Sequence, residues 1–231
     1  MNANRQVEWL IDLGQVARAQ ALLADGDGAV PANMRPGRYV ARALLARALG
    51  AAEQPWWEQA LALLDSRRNG YERIRAAFEL LRFEPDATLA LTRGAALQQQ
   101  AAELGYQPLA LGIAVMRLER AVAVGNVIEV DRLAPWVESH DPQIGAAFDY
   151  LPRLWSACAA GYDAIGRPHD AARCLERAWR WLHETALPQV PPEYRDSFLE
   201  RNPTNRKLRA WAARGGSDGA APLLGPLTGR A

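Results

Sequence analysis

An all-α fold, built as a solenoid of stacked helix pairs, is what this chain predicts, and three observations carry the prediction. Alanine, leucine, arginine, glutamate and glutamine dominate long stretches, while alternating β-branched runs bounded by turns are missing. Apolar residues recur at helical spacing, and glycines stand where that spacing breaks. In the clearest stretch, Trp155, Cys158, Ala159 and Tyr162 fall at i, i+3, i+4 and i+7 and so share one face of a first helix. Gly166 stops that helix, because glycine enters the left-handed C-cap conformation without a Cβ clash. Pro168 suits the first turn of a second helix, on which Ala171, Leu175 and Ala178 form a face of small residues for close approach. Such a pair cannot bury both its faces alone, so it is expected to stack on further pairs.

The remaining elements follow in chain order. Residues 7–11 and 15–23 read as short helices parted at Gly14, and the spacing Gly14, Ala19, Leu23 repeats that of Gly166, Ala171, Leu175. The N-terminus therefore reads as the rear half of a repeat with a short front half, followed by the turn-rich ADGDGAVPAN. Helices are expected over 39–49, 56–64, 71–82 and 87–104, the last with Asp86 as N-cap, since its carboxylate accepts from first-turn amides. Gly105 ends that helix. Pro108 opens the next, which runs to Val124 before Gly125 and carries two apolar stripes, Leu109, Ile113, Met116 and Leu111, Val115, Leu118, Val122. A surface helix needs one stripe; two call for neighbours on two sides, as in an array or at the centre of a bundle.

Residues 126–137 pair with that helix, Val130 taking the place that Ala171 holds after Gly166. Asp141 and Pro142 restart the chain as N-cap and first helical residue. The helix opened by Pro168 runs on through Trp179, Trp181 and Leu182 and ends before Pro188. Pro191 and Pro192 begin a short helix with Tyr194, Phe198 and Leu199; Asn202 and Pro203 cap and start another with Leu208 and Trp211. The helical repeat domain thus covers 1–213, with its best repeat at 152–185 and a capping element at 190–213 that covers the apolar end of the array. Within that end, Trp181, Arg201, Asn205, Arg206 and Arg209 are the candidate partner-binding residues, and with Lys207 the cations suit an acidic partner. The tail, 214–231, is rich in glycine and small residues and is expected to be disordered.

Composition narrows the function. The chain has 231 residues, 49% of them apolar, with a formal net charge of +1, which leaves no electrostatic footprint for nucleic acid or an anionic membrane. No apolar run reaches the ~20 residues that span a bilayer, and MNANRQVEWLIDLG does not read as a signal peptide, so cytoplasm is expected. Cys158 and Cys174 read as buried small apolar residues; a redox pair, or a metal site with His169 and His183, lacks close-set C-x-x-C spacing. The three histidines, His140, His169 and His183, lie in no motif with a nucleophile, and no paired-carboxylate arrangement stands out, so no enzyme, cofactor or metal is expected. The eight tryptophans are Trp9, Trp56, Trp57, Trp136, Trp155, Trp179, Trp181 and Trp211, numerous enough to raise binding hot spots beside packing. Trp179 and Trp181 lie two apart, so they face different ways, and adjacent Trp56 and Trp57 raise the same question.

The segment GYDAIGRPHDAARCLERA, preceded by Trp155, resembles a tetratricopeptide helix pair: Trp155, Tyr162, Gly166, Ala171 and Ala178 stand where that pattern has its tryptophan, tyrosine, turn glycine and alanines. Cys158 and Ala159 replace its leucine and glycine, and His183 its closing proline. With PPEYRDSFLERNPTNR at 191–206, this ending resembles the C-terminal array of large bacterial ATP-binding regulators, of the maltose-regulator or bacterial transcriptional activator domain type. Gly125 and Gly166, forty-one residues apart, fit such irregular arrays better than evenly spaced ones. The resemblance implies a right-handed solenoid of degenerate tetratricopeptide-like pairs, acting as a non-catalytic interaction or sensing module in bacterial signalling or transcriptional control. Its partner would be a protein or peptide, such as an ATPase, kinase or transcription regulator. The alternatives are a small-ligand receptor array and a detached C-terminal fragment of such a regulator. The chain has no G-x-x-x-x-G-K-[ST] loop and no basic recognition helix, so neither ATP hydrolysis nor DNA binding is expected of it. An apolar end exposed at Gly14 would let two copies pair there.

Overall fold

The computed structural model describes residues 3–12, 15–24, 30–64, 70–140 and 150–215. Gly14, Asp141, Pro142, the Trp9 side chain and the tail from 216 lie outside the described residues. Every regular element among the described residues is helical, and they fall into two compact units, Met1–Asp86 and Ala87–Ala231.

The first unit holds α1 (Ala3–Asp12), α2 (Val16–Leu22), α3 (Arg35–Ala48), α4 (Gln54–Leu63) and α5 (Gly70–Leu81). Helix α3 is its centre, because two faces of one helix serve two cores. Ala41 and Leu45 pack with Val7, Ala19 and Leu23 of the α1–α2 side. Val40 and Ala43 pack with Trp57, Ala60, Leu64 and Ala76 of the α4–α5 side. The adjacent tryptophans separate here. Trp57 is fully buried and its Nε1–H donates to Glu53 at 3.0 Å, whereas Trp56 stacks on Tyr39 with its centroid 6.1 Å away and carries the Arg42 guanidinium over its ring.

The second unit holds α6 (Ala87–Glu103), α7 (Gln107–Ala123), α8 (Val127–Glu138), α9 (Leu151–Ala164), α10 (Pro168–Trp181), α11 (Arg195–Arg201) and α12 (Pro203–Ala213). Each helix from α6 to α10 packs on the next, α9 also returns to α7, and α12 closes over α9 and α10. Helix α7 is buried continuously from Leu109 to Leu118, so its two apolar stripes merge into burial on all sides between α6, α8 and α9.

One device ends a helix in both units. Gly50, Gly105, Gly125 and Gly166 take φ of +69, +78, +67 and +74°. After each, the next amide reaches back five residues to a carbonyl: Ala51 to Ala46, Tyr106 to Ala101, Asn126 to Ala121 and Arg167 to Tyr162, at 2.8–2.9 Å. These are Schellman caps, and glycine is needed because a Cβ disfavours the left-handed region. Prolines in the first turn open α4, α7, α10 and α12, while α8 opens on Asn126, whose side chain accepts from the Glu129 amide.

Three boundaries differ by more than a residue or two from the sequence expectation: α1 begins at Ala3 instead of residue 7, α3 begins at Arg35 instead of residue 39, and the end of the helix opened by Pro168 is the third. The helix opened by Pro168 does not stop before Pro188; after Trp181 it widens into a π turn, Leu182–Ala186, and closes in a last turn, Leu187–Gln189, that contains Pro188. Proline has no amide to give and its ring clashes with the carbonyl four residues back, and the wider turn changes that register.

Candidate interaction surface

The repeat residues singled out in the sequence come together. Trp155, Tyr162, Ala171, Leu175 and Ala178 are buried in one cluster with Cys158, Cys174, Leu118, Val130 and Ala134, and Gly166 stands exposed at the turn. Close approach of α9 to its neighbours depends on Gly161, where an added Cβ would lie 3.0 Å from Leu118 Cδ1 and 3.3 Å from Ala134 Cβ.

Polar groups inside this array bond one another. Glu138, at the end of α8, accepts from the Tyr162 hydroxyl of α9 at 2.6 Å and from the Arg173 guanidinium of α10 at 3.0 and 3.1 Å. Burial by itself would raise the Glu138 carboxyl, but its bonds to Tyr162, Arg173 and Cys174 outweigh that and hold it below the ordinary glutamate value. The same contacts push the other way on the groups around it. Burial, then Glu138, raises the Tyr162 phenol, and burial followed by Glu138 pushes the Cys174 thiol up to about 12. Cys158, fully buried beside it, is raised well above the ordinary thiol by burial and then by Cys174. Both cysteines are unbridged and protonated at neutral pH, which is the inert state of a thiol.

A second network joins α6, α7 and α8. Arg117 is buried and donates to Glu129 of α8 and to Gln98 of α6. Burial pulls the Arg117 guanidinium below the ordinary arginine value, and Glu129 counters that only in part. Gly94 of α6 makes room for its stem, with Arg117 Cγ 3.0 Å from where a Cβ would stand.

The C-terminal end divides the candidate partner-binding residues. Asn202 caps α12 by accepting from the Thr204 and Asn205 amides, and Leu208 and Trp211 seal the array. Asn205 departs from expectation: it is 0% exposed, its Oδ1 accepts from the Tyr150 hydroxyl at 2.8 Å and its Nδ2 donates to the Phe198 carbonyl at 3.0 Å. It is out of a partner's reach because it ties α11 and α12 to the start of α9. Trp181 is half-buried, edge-on to Tyr150 and Trp155, and serves mainly this packing. Trp179 faces the other way, against the His183 ring at 4.1 Å. Arg201, Arg206 and Arg209 remain exposed, with Lys207 and Arg214 beside them.

A further surface went unseen in the sequence. Val124, Val127 and Ile128 flank the Gly125 turn, and Ile128 is 85% exposed. The available signal was an isoleucine on the Asp131 and Pro135 side of α8, opposite the buried Val130, Leu133 and Val137.

No family model, curated protein or solved structure matches the chain. Among the described residues no three His, Cys, Asp or Glu side chains are grouped to hold a metal ion, and no helix is long and apolar enough to cross a membrane.

Proposed function

We propose that this chain is a non-catalytic protein-interaction module of bacterial signalling or transcriptional control, a degenerate tetratricopeptide-like array working in the cytoplasm. The observation that supports this reading most is the division of side chains in α7–α10. The buried and half-buried groups able to do chemistry there, Arg117, Glu129, Glu138, Tyr162, Cys158 and Cys174, are engaged with one another or sealed, while Val124, Val127 and Ile128 stand in solvent at one turn. Apolar side chains held out at a rigid turn suit a partner that covers them. The partner class follows from the resemblance of the ending to regulator arrays: an ATPase, a kinase or a transcription regulator.

The test is affinity capture of the tagged protein from lysate of the native organism, beside an Ile128→Asp variant with unchanged melting temperature. Retention of a regulator or kinase by the parent and its loss from the variant is the expected result. Equal retention by both, or nothing retained by either, overturns the reading.

A further inference from the structure

Arginines in the second unit divide by whether they meet a carboxylate; among the described residues the exposed Arg177 and Arg180 of α10 do not, Arg177 lying instead over the Trp155 ring at 4.8 Å. Arg117, Arg132, Arg153, Arg167 and Arg173, on or beside α7–α10, each meet a carboxylate of the same unit. Helix α12 has no such arrangement. Between Pro203 and Arg214 the sequence holds Arg206, Lys207, Arg209 and Arg214 and no acidic residue, and all four cations are exposed. Among the described residues, only Arg209 of these four has a carboxylate partner, Glu200 of α11, at a loose 3.7 Å.

Helical geometry puts these cations on one face. Arg206, Ala210 and Arg214 are successive turns of a line, Lys207 lies to one side and Arg209 with Ala213 to the other. The line runs roughly 12 Å at 1.5 Å per residue. Its middle is alanine, so nothing bulky stands between the charges. The opposite face is already committed, since Leu208 and Trp211 are buried in the core of the array. In a chain whose formal net charge is +1, this is a local concentration of positive charge.

From this geometry we infer that the exposed face of α12 docks an acidic peptide segment of a partner protein. The inference rests on the interaction-module reading and adds the chemistry and place of one contact. Charge complementarity selects the occupant. The apolar side of α12 is unavailable for insertion into a bilayer, which an interfacial helix requires. The solvent face carries no aromatic ring on which unpaired bases could stack. Glu200 beside Arg209 opposes a long uniform polyanion, whereas a short acidic stretch fits along the Arg206–Arg214 line. Arginine's planar fork meets carboxylates two bonds at a time, which favours Asp and Glu side chains at this face.

Lys207 makes the test site-resolved, because it is the chain's one lysine. A fluorescent 16-residue peptide rich in Asp and Glu is titrated into the full chain at low salt, beside three probes: its Asn/Gln counterpart, a single-stranded oligonucleotide of equal charge, and phosphatidylserine vesicles. The acidic peptide should bind, weaken steeply as salt rises, and protect Lys207 from acylation, while the Asn/Gln peptide does neither. The triple variant Arg206→Glu, Lys207→Glu, Arg214→Glu should lose at least tenfold in affinity for it. Since these side chains are exposed, an unchanged circular dichroism spectrum and melting temperature show that the loss is local. Arg132→Glu, a charge change at an exposed position of α8, should leave binding within twofold. No binding, equal binding by the triple variant, or tighter binding of oligonucleotide or vesicle than of peptide overturns the inference. Failure of the wider reading shows separately: peptide binding at α12 with nothing captured from lysate leaves this face standing alone, and capture through Ile128 without peptide binding does the reverse.

Discussion

Two helix pairs of the second unit, α7–α8 and α9–α10, turn at Gly125 and Gly166 with the same backbone and the same cap bonds, yet they hold their polar groups differently. In the first pair a cation lies inside: Arg117 is 4% exposed and meets Glu129, 16% exposed, which Arg132 also bridges from the rim. In the second the acceptor Glu138 is bridged from the rim by Arg173, whose side chain is 56% exposed, and by Tyr162 from the core. The turn is a local property of glycine, whereas the depth of the charge is decided by neighbours. Helix α7 has α6 on its outer side, so Arg117 is covered; Arg173 faces solvent. Burial then governs cost, because removing one partner of a covered ion pair leaves the other charge without compensation.

The sharpest way to break this comparison is to delete each acceptor. Glu129→Ala strands the covered Arg117 and should cost about 3 kcal/mol in denaturant unfolding, while Glu138→Ala, whose cation relaxes into water, should cost about 1 kcal/mol. Equal losses would show that depth of burial is not what separates the pairs. Next comes packing at the second turn. Ala171→Trp overfills the contact between α9 and α10 and should lower stability by about 2 kcal/mol; a variant that melts with the parent would remove Ala171 from the packing argument.

Smaller and equal effects are expected at the turns themselves. Gly125→Ala and Gly166→Ala should each cost about 1 kcal/mol, since both need positive φ and neither Cβ would meet an atom within 4 Å. A marked difference between them would mean that the turns are not equivalent. The smallest effect is in pH. The Glu138 carboxyl is held below its ordinary 4.5, so the stability it contributes is fully present above that value and is lost as the pH falls through its folded pKa. In melting curves from pH 7 down to 3, the advantage of the parent over Glu138→Gln should stay under about 1 kcal/mol and shrink with acid. An advantage that grows with acid contradicts the assigned direction.

Much of the fold was legible because its signals are local. The helices of the second unit begin and end within a few residues of where period, glycine and proline place them, and Trp155, Tyr162, Ala171 and Ala178 do meet in one core. The interaction surface was less legible. Asn205 reads as a polar residue in a basic helix, and nothing in that helix reveals the Tyr150 hydroxyl that claims it from fifty-five residues away. Ile128 reads as one more apolar residue after a turn, and its exposure depends on which side of α8 faces α7 and α9.

By itself, the sequence determined most of the secondary structure and the glycine turns: a left-handed cap needs glycine, a first helical turn accepts proline, and a 3.6-residue period shows wherever one face is apolar. Only the tertiary structure decided which side chains are covered. It placed Trp57 fully inside and Trp56 at the half-buried edge of the same core, buried Arg117 while leaving Arg173 in water, and left the cations of α12 largely without carboxylates. The physical reason is range: dihedral preferences act between neighbours in the chain, whereas burial and charge pairing are set by elements that meet only when the helices stack.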